Sequence, residues 1–469
     1  MQEYTKRRHL GCMTKLPSLL CAATTLLVAA SPYVSAQPRP RGALPDAIDS
    51  IAQSYLKDGR AAGMSIAVVK GTDTIALKAY GLADLEWSVP TPPRAVYEIG
   101  SVTKQFTAAA ILMLRDEKKF SLDDDITTIL PKYPTQGHRV TIRRLLDHTS
   151  GIKGYTELRG FGAMASRDLP KDSLLALFEN EKFDFLPGDA QVYNNSAYFL
   201  LGLIVEKASG MSYADFVQKR IFDKVGMSDS RYCSERTLTP HKTHGYEMGP
   251  TGLVNKGYIV HTYPYSAGSL CSTAGDLAAW VRALHAGRVL SPVSYREMIS
   301  PASLSDGTKL RYGMGLALHT FGGHRTIEHG GAIPGYLSEA AYFPDQDAII
   351  VVLINTAGPV APAAVTQSIA DLLFGTITPT ALAPPTNIAA LAGRYTGVGR
   401  GAPMKVVVTA DSGKLMVTLA RLPAAAARYV GNDTWEVSDT RLTFGKNTAG
   451  APTLRVDSSY GYSVLTRVP

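Results

Sequence analysis

The order of strand-like and helix-like patterns along the chain constrains the fold most. Residues 64–70 and 74–80 are strand-like and are joined by a short Gly-Thr-Asp turn, which predicts a β-hairpin. Helical patterns fill residues 102–286. Further strands are predicted later in the chain, at 312–319, 336–342 and 348–353, followed by a helix at 361–374. Strands at both ends of a helical middle predict an α/β (α+β) fold, in which one sheet is built from both ends and the helical insert lies against it.

A change of composition divides this region from the C-terminal part of the chain. Residues 376–386 are rich in Thr and Pro, which is typical of a linker. Short strand patterns separated by turns follow, so residues 387–469 are expected to form a small all-β domain. The main domain then covers residues 44–375. The full chain of 469 residues, 45% apolar and 19% charged, is long and apolar enough for this arrangement.

The N-terminal residues have the pattern of a signal peptide. Basic residues precede an apolar run at residues 16–30, and Val34-Ser35-Ala36 supplies small residues at a cleavage position. The apolar run is shorter than the ~20 residues that a membrane span needs. The sequence therefore predicts a signal peptide at 1–36, a short lead-in at 37–43, a periplasmic or secreted mature protein and no stable membrane span after cleavage.

Charge and cysteine content limit the partners of that mature protein. Loss of residues 1–36 removes four basic residues and one acidic residue, which lowers the net charge from +8 to +5. No basic run or stripe is present, so nucleic-acid binding is not expected. Cys233 and Cys271 remain after cleavage. These thiols could pair in an oxidising compartment, but sequence alone does not give their separation.

A Ser-x-x-Lys pattern supplies the first candidate for nucleophilic chemistry. It occurs three times, beginning at Ser54, Ser101 and Ser150, but only Ser101 follows a glycine and begins a strongly apolar helix. The i, i+3 spacing places the Lys104 amine on the same helix face as Ser101. A buried lysine can lose enough pKa to act as a base, and free N–H groups at a helix start favour developing negative charge.

Two later segments can complete such a site. Tyr193 precedes a predicted helix and can share its phenolic proton with a lysine, while Asn195 offers both a donor and an acceptor. Asn195 as a simple helix N-cap is the alternative. Further on, His329-Gly330-Gly331 leads into Ala332, where a backbone N–H could complete an oxyanion hole with that of Ser101. A glycine-rich hairpin turn is the alternative interpretation of this segment.

Taken in order, these motifs resemble the serine β-lactamase and DD-peptidase superfamily, and most closely its class C β-lactamase-like branch, which includes esterases and D-aminopeptidases. The resemblance covers residues 44–375. It rests on Ser101-x-x-Lys104, Tyr193-x-Asn195 and His329-x-Gly331, with flanking segments at 98–100, 145–151 and 267–273. It implies an antiparallel sheet with helices on both faces and an all-helical region beside it.

The resemblance also implies a role for each residue. Ser101 would be the nucleophile, and Lys104 with Tyr193 the proton-handling pair, in which either group could be the base. Asn195 would orient the substrate. Ser101 and Ala332 would supply the oxyanion N–H groups. The implied function is an exported serine hydrolase acting on amide or ester bonds of small molecules or short peptides, with no cofactor.

One position departs from the family pattern. His329 stands where antibiotic-destroying members usually have a lysine, and a histidine is only partly charged near neutral pH. We therefore expect the charge of His329 to tune substrate choice, and an esterase or D-peptide hydrolase rather than an efficient β-lactamase. A sensor that acylates once without turnover is the alternative function. His319, His324 and His329 recur every five residues, which fits neither a helix face nor a strand face, so no metal is expected.

Overall fold

A computed structural model describes residues 43–469 apart from 381, 412, 420 and 421. The predicted signal peptide at 1–36 and almost all of the lead-in at 37–43 lie outside the described residues. The α-helices in this part of the chain are α1 Ala43–Leu56, α2 Thr103–Asp116, α3 Ile142–Leu146, α4 Phe161–Met164, α5 Lys171–Ala176, α6 Asn195–Ser209, α7 Tyr213–Val217, α8 Asp223–Val225, α9 Tyr265–Gly268, α10 Ala274–His285, α11 Pro292–Met298 and α12 Pro362–Phe374.

The strands fall into one large sheet, one barrel and two small sheets. In chain order they are β1 Gly63–Lys70, β2 Asp73–Asp84, β3 Val89–Pro90, β4 Tyr97–Glu98, β5 Gln191–Val192, β6 Arg231–Tyr232, β7 Tyr246–Gly249, β8 Gly252–Asn255, β9 Leu270–Ser272, β10 Ala317–Phe321, β11 His324–Ile333, β12 Tyr336–Phe343, β13 Ala348–Ile354, β14 Thr356–Ala357, β15 Gly393–Gly397, β16 Met404–Asp411, β17 Lys414–Leu419, β18 Ala425–Gly431, β19 Thr434–Val437, β20 Thr440–Lys446, β21 Pro452–Ser458 and β22 Gly461–Val468.

The large sheet is antiparallel and is assembled from both ends of the main domain. Its order is β10-β11-β12-β13-β1-β2-β3, with β1 paired to β13 from Met64↔Ile354 to Lys70↔Ala348. Every residue of β13 is buried, which requires cover on both faces of the sheet. Helices α1 and α12 pack on one face, and α10 with the helical region around α2 and α6 packs on the other. The predicted fold class is confirmed.

The C-terminal strands close on themselves. β15 to β22 form successive antiparallel pairs, and β15 also pairs with β22, which makes an eight-stranded barrel with its own apolar core around Trp435 and Leu454. The main domain contributes β5, which pairs with β22 at Val192↔Gly461. Because β5 immediately precedes Tyr193, the barrel is joined to the segment that carries one of the candidate residues.

Two predicted elements differ in detail. The strand predicted at 312–319 begins only at Ala317, because the chain turns at Gly315, where φ is +71° and an added Cβ would lie 2.7 Å from the Lys104 carbonyl oxygen. Within the region of helical patterns predicted at 102–286, residues 213–225 do not form one continuous helix, because a π-helical turn at Gln218–Phe222 separates α7 from α8.

Cys233 and Cys271 form a disulfide close to the segment that precedes Ser101. Cys271 lies in β9 and is paired with Glu98 of β4, and Ser101 lies three residues after Glu98.

The disulfide closes a loop with a sequence separation of 38, so its removal increases the conformational entropy of the unfolded chain. We expect the Cys233→Ala, Cys271→Ala double variant to lose about 2–4 kcal/mol of the free energy of unfolding. Denaturant unfolding measures this, and an unchanged midpoint and slope would contradict the prediction.

Candidate active site

Ser101 lies in a tight turn at the start of α2. Residues Gly100–Val102 form a 3₁₀ turn, and Thr103 continues it as the first residue of the helix. Gly100 has φ +49°, and an added Cβ would lie 2.9 Å from the Ala332 nitrogen. The close approach is therefore open only to glycine, and it brings the backbone beside Ser101 against β11.

The Lys104 amine is fully buried behind Ser101. Its Nζ lies 3.1 Å from Ser101 Oγ, 2.8 Å from Asn195 Oδ1 and 2.8 Å from the Ala267 carbonyl oxygen. Burial lowers the pKa of Lys104 well below its ordinary value, and the positive charge of Arg400 lowers it further. A neutral amine has two N–H groups, which can donate hydrogen bonds to Asn195 Oδ1 and to the Ala267 carbonyl oxygen. Its lone pair then remains available to accept the Ser101 proton.

Tyr193 and Asn195 come from the loop that enters α6. Asn194, not Asn195, is the N-cap, since its Oδ1 accepts a hydrogen bond from the Ala197 nitrogen at 2.8 Å. Asn195 is therefore free to contact Lys104 and, through Nδ2 at 3.3 Å, Thr156 Oγ1. The centre of the Tyr193 ring lies 4.7 Å from Lys104 Nζ, and burial raises the pKa of its phenol.

Strand β11 passes directly beside Ser101. An added Cβ on Gly331 would lie 2.2 Å from the Ile99 carbonyl oxygen, so only glycine allows this contact. Ser338 of the neighbouring strand β12 donates to the same oxygen at 2.8 Å and holds the two segments together. Ala332 follows Gly331 and lines the cavity together with Ser101. The Ala332 nitrogen therefore lies close to the backbone of Gly100, the residue before Ser101.

His329 is held in a defined tautomer. The Asn194 N–H donates to His148 Nδ1 at 3.1 Å, which makes His148 Nε2 the protonated nitrogen facing the Tyr312 hydroxyl at 3.3 Å. The Tyr312 hydroxyl can then donate to His329 Nε2 at 3.1 Å, and His329 Nδ1–H donates to the Gly330 carbonyl oxygen at 2.6 Å.

This environment keeps the imidazole of His329 uncharged. His329 is 1% exposed, and burial together with the nearby Lys104 lowers its pKa to about 3. The expectation that His329 is partly charged near neutral pH is therefore wrong, because its partners and its burial favour the neutral ring. The sequence pattern did not predict that His148 and Tyr312 contact His329 or each other. His148 does lie in segment 145–151, which resembles the family.

Four residues of the barrel domain reach the same cavity, Arg400, Asp439, Ser459 and Tyr460, and none of them was identified from the sequence. The cavity has a volume of about 640 Å³ and is lined by Ser101, Tyr193, Arg400 and Tyr460, among others. The Arg400 guanidinium lies 5.3 Å from the centre of the Tyr193 ring and donates to Glu157 at 2.6 Å. A lone arginine in the glycine-rich stretch at 397–401 was the available signal.

The three spaced histidines do not converge on one point. His319 pairs with Asp439 at 2.6 Å, and His324 lies 2.9 Å from the Gly375 carbonyl oxygen. His329 contacts Tyr312, as described above. Each ring therefore has a separate partner.

In the described part of the chain no helix is long and apolar enough to cross a membrane.

This fold and site define a serine hydrolase of the β-lactamase type. The sequence profile of the Beta-lactamase family matches residues 48–373. The chain therefore belongs to that family and is a hydrolytic enzyme, which confirms the predicted relationship to the serine β-lactamase and DD-peptidase superfamily.

Individual relatives cover different parts of the chain. The D-aminopeptidase of Brucella anthropi is 29% identical over 66% of this chain and 59% of its own length. A penicillin-binding protein from Bacillus halodurans has a TM-score of 0.60 and 26% identity, over 70% of this chain and all of its own. An octameric penicillin-binding protein homologue from Pyrococcus abyssi shares the fold, with a TM-score of 0.62 and 24% identity over 89% of this chain and 99% of its own.

Proposed function

We propose that this protein hydrolyses amide or ester bonds of small molecules or short peptides through an acyl-enzyme on Ser101. The observation that carries the proposal is the buried Lys104 amine 3.1 Å from Ser101 Oγ, with Asn195 and Ala267 able to accept both of its remaining hydrogen bonds. A neutral amine in that position can remove the proton of the serine as the nucleophile attacks.

The pKa directions favour a division of labour between Lys104 and Tyr193. Lys104 has a lowered pKa and is suited to accept a proton, whereas Tyr193 has a raised pKa and remains a phenol that can donate one. In acylation Lys104 takes the Ser101 proton, the carbonyl oxygen binds the N–H groups of Ser101 and Ala332, and Tyr193 protonates the leaving group. Proton exchange between the two groups restores them, and water attack on the ester releases the acid.

The neutral His329 has a consequence for substrate choice. It gives the third motif no permanent cation for a β-lactam carboxylate, so D-peptide, amide or ester substrates are favoured over β-lactams. The D-aminopeptidase relative is consistent with that preference. A screen with a chromogenic cephalosporin, short-chain aryl esters and D-amino-acid amides tests it. Turnover of esters or amides is expected, whereas a labelled but inactive protein would favour the non-turnover sensor.

We also propose that the protein is exported by cleavage after Ala36. The Cys233–Cys271 disulfide supports this proposal, because such bonds persist in oxidising compartments. N-terminal sequencing of the protein recovered from the periplasm or the medium is expected to begin at Gln37. A cytoplasmic full-length chain would contradict export.

The charges of Arg400 and Glu157 have opposite effects on the pKa of Lys104, and therefore on the pH dependence of this mechanism. The Arg400 charge lowers the pKa of the buried Lys104 and the Glu157 charge raises it. Since neutral Lys104 is the active form, kcat/KM rises as pH rises through this pKa. Arg400→Ala is expected to move the acidic limb of the kcat/KM profile to higher pH, and Glu157→Gln is expected to move it to lower pH. Shifts in the same direction, or no shift in either variant, would contradict the assignment of Lys104 as the base.

A further inference from the structure

A buried pair of carboxyl groups lines the cavity that holds Ser101. Glu328 of β11 and Glu339 of β12 are 3% and 5% exposed, and both line the cavity wall. They lie on the same face of the sheet, because Glu339 is opposite Gly330 and Glu328 is two residues before Gly330. None of the proposed catalytic steps uses either group.

A barrel residue closes this end of the cavity. The Tyr460 hydroxyl accepts a hydrogen bond from the Gly330 N–H at 3.0 Å and donates to Glu328 Oε2 at 3.0 Å. An added Cβ on Gly330 would lie 3.3 Å from Glu339 Oε2 and 3.7 Å from the Tyr460 hydroxyl. Both side chains therefore converge over a glycine that leaves the space between them open.

The nearby basic side chains are already engaged elsewhere. Arg311 and His319 both pair with Asp439, and Arg400 pairs with Glu157. Across the described residues, no lysine or arginine forms an ion pair with Glu328 or Glu339, and Glu339 Oε1 has no hydrogen-bond partner. Burial raises the pKa of both carboxyl groups, and repulsion by Glu328 together with a hydrogen bond between the two groups raises that of Glu339 further, so a proton shared by the pair takes the place of a cation. Burying carboxyl groups without a cation costs free energy, and a positively charged ligand would reduce that cost.

We propose that Glu328, Glu339 and Tyr460 form a subsite for the protonated amine of a short substrate. A primary ammonium is compact and carries only donors, which matches two acceptor-bearing carboxyl groups in the cavity wall. This inference rests on the proposed function, since it names the substrate class of the Ser101 site. It makes the enzyme selective for substrates that end in an amine within the cavity.

A pair of substrates that differ only in that charge tests the subsite. The two are D-alanine p-nitroanilide and its N-acetyl derivative, and the readout is the ratio of their kcat/KM values. Glu339→Gln is expected to lower this ratio roughly ten- to hundredfold, which is the scale of a charge-assisted hydrogen bond. Glu181→Gln, which changes an exposed carboxylate outside the cavity, is expected to leave the ratio unchanged. An equal loss on both substrates would mean that the pair is only structural and would overturn the inference.

Binding measured without turnover separates this inference from the proposed function. Ser101→Ala protein is titrated calorimetrically with D-alanine amide and with N-acetyl-D-alanine amide. Tighter binding of the amine, lost on adding Glu339→Gln, supports the subsite even if no substrate is hydrolysed. Equal binding of both amides would overturn it, whatever Ser101 does. If Glu339→Gln does not fold, Glu328→Gln serves as the second variant under the same two outcomes.

Discussion

Ser101→Ala protein is expected to lose hydrolysis of every substrate that the wild-type enzyme accepts, by roughly three to six orders of magnitude in kcat. The oxygen that would form the acyl bond is removed, while the fold should persist because Ser101 is a half-buried residue in a turn. Steady-state kinetics on the best substrate of the screen measure the loss. Substantial turnover by correctly folded Ser101→Ala protein would end the acyl-enzyme hypothesis.

The other two Ser-x-x-Lys serines provide matched controls. Ser54 is exposed on α1, where its Oγ donates to the Ile51 carbonyl oxygen at 2.7 Å. Ser150 is buried, and its Oγ accepts from the Ile152 nitrogen at 3.4 Å. Neither lines the cavity around Ser101, so Ser54→Ala and Ser150→Ala are expected to retain most activity. A large loss of kcat in either variant without a loss of stability would contradict this assignment.

Lys104→Ala and Tyr193→Phe are each expected to lower kcat by several orders of magnitude, and the double variant by far less than the product of the two losses. The reason is that both groups serve one proton path, so removing either interrupts the same step. The ring of Tyr193 lies against the Lys104 amine, which makes a shared role geometrically possible.

Measurement of all four proteins with one substrate gives the coupling directly. Circular dichroism and thermal unfolding check that Lys104→Ala folds, because it leaves a cavity beside Asn195. Independent, fully multiplicative losses would show that the two residues act in separate steps.

The sequence was sufficient to predict the parts of the site that lie in short motifs. Three of these residues, Ser101, Lys104 and Asn195, lie at the start of a helix, a position that the local residue pattern indicates. In the structure their side chains are in contact through Lys104. The sheet assembled from both ends of the domain was also predictable, because apolar residues repeat with a different period in strands and in helices. The barrel was predicted only as a small all-β domain.

What the sequence did not predict depends on contacts between distant segments. Arg400 and Tyr460 enter the cavity only because the barrel docks beside β5 and β11, and no local pattern encodes that docking. The neutral state of His329 likewise depends on His148 and Tyr312, which are remote in sequence. An isolated histidine is titratable near neutral pH, and only the buried partners reveal that this one is not.

Intact-protein and peptide mass spectrometry of an acyl-enzyme tests the central claim most directly. The protein is mixed with an activated aryl ester, quenched in acid at early times and digested. We predict one acyl adduct on the peptide that contains Ser101, forming and decaying within a turnover, and no adduct in Ser101→Ala protein. An adduct on another residue, or rapid hydrolysis with Ser101 never modified, would contradict it.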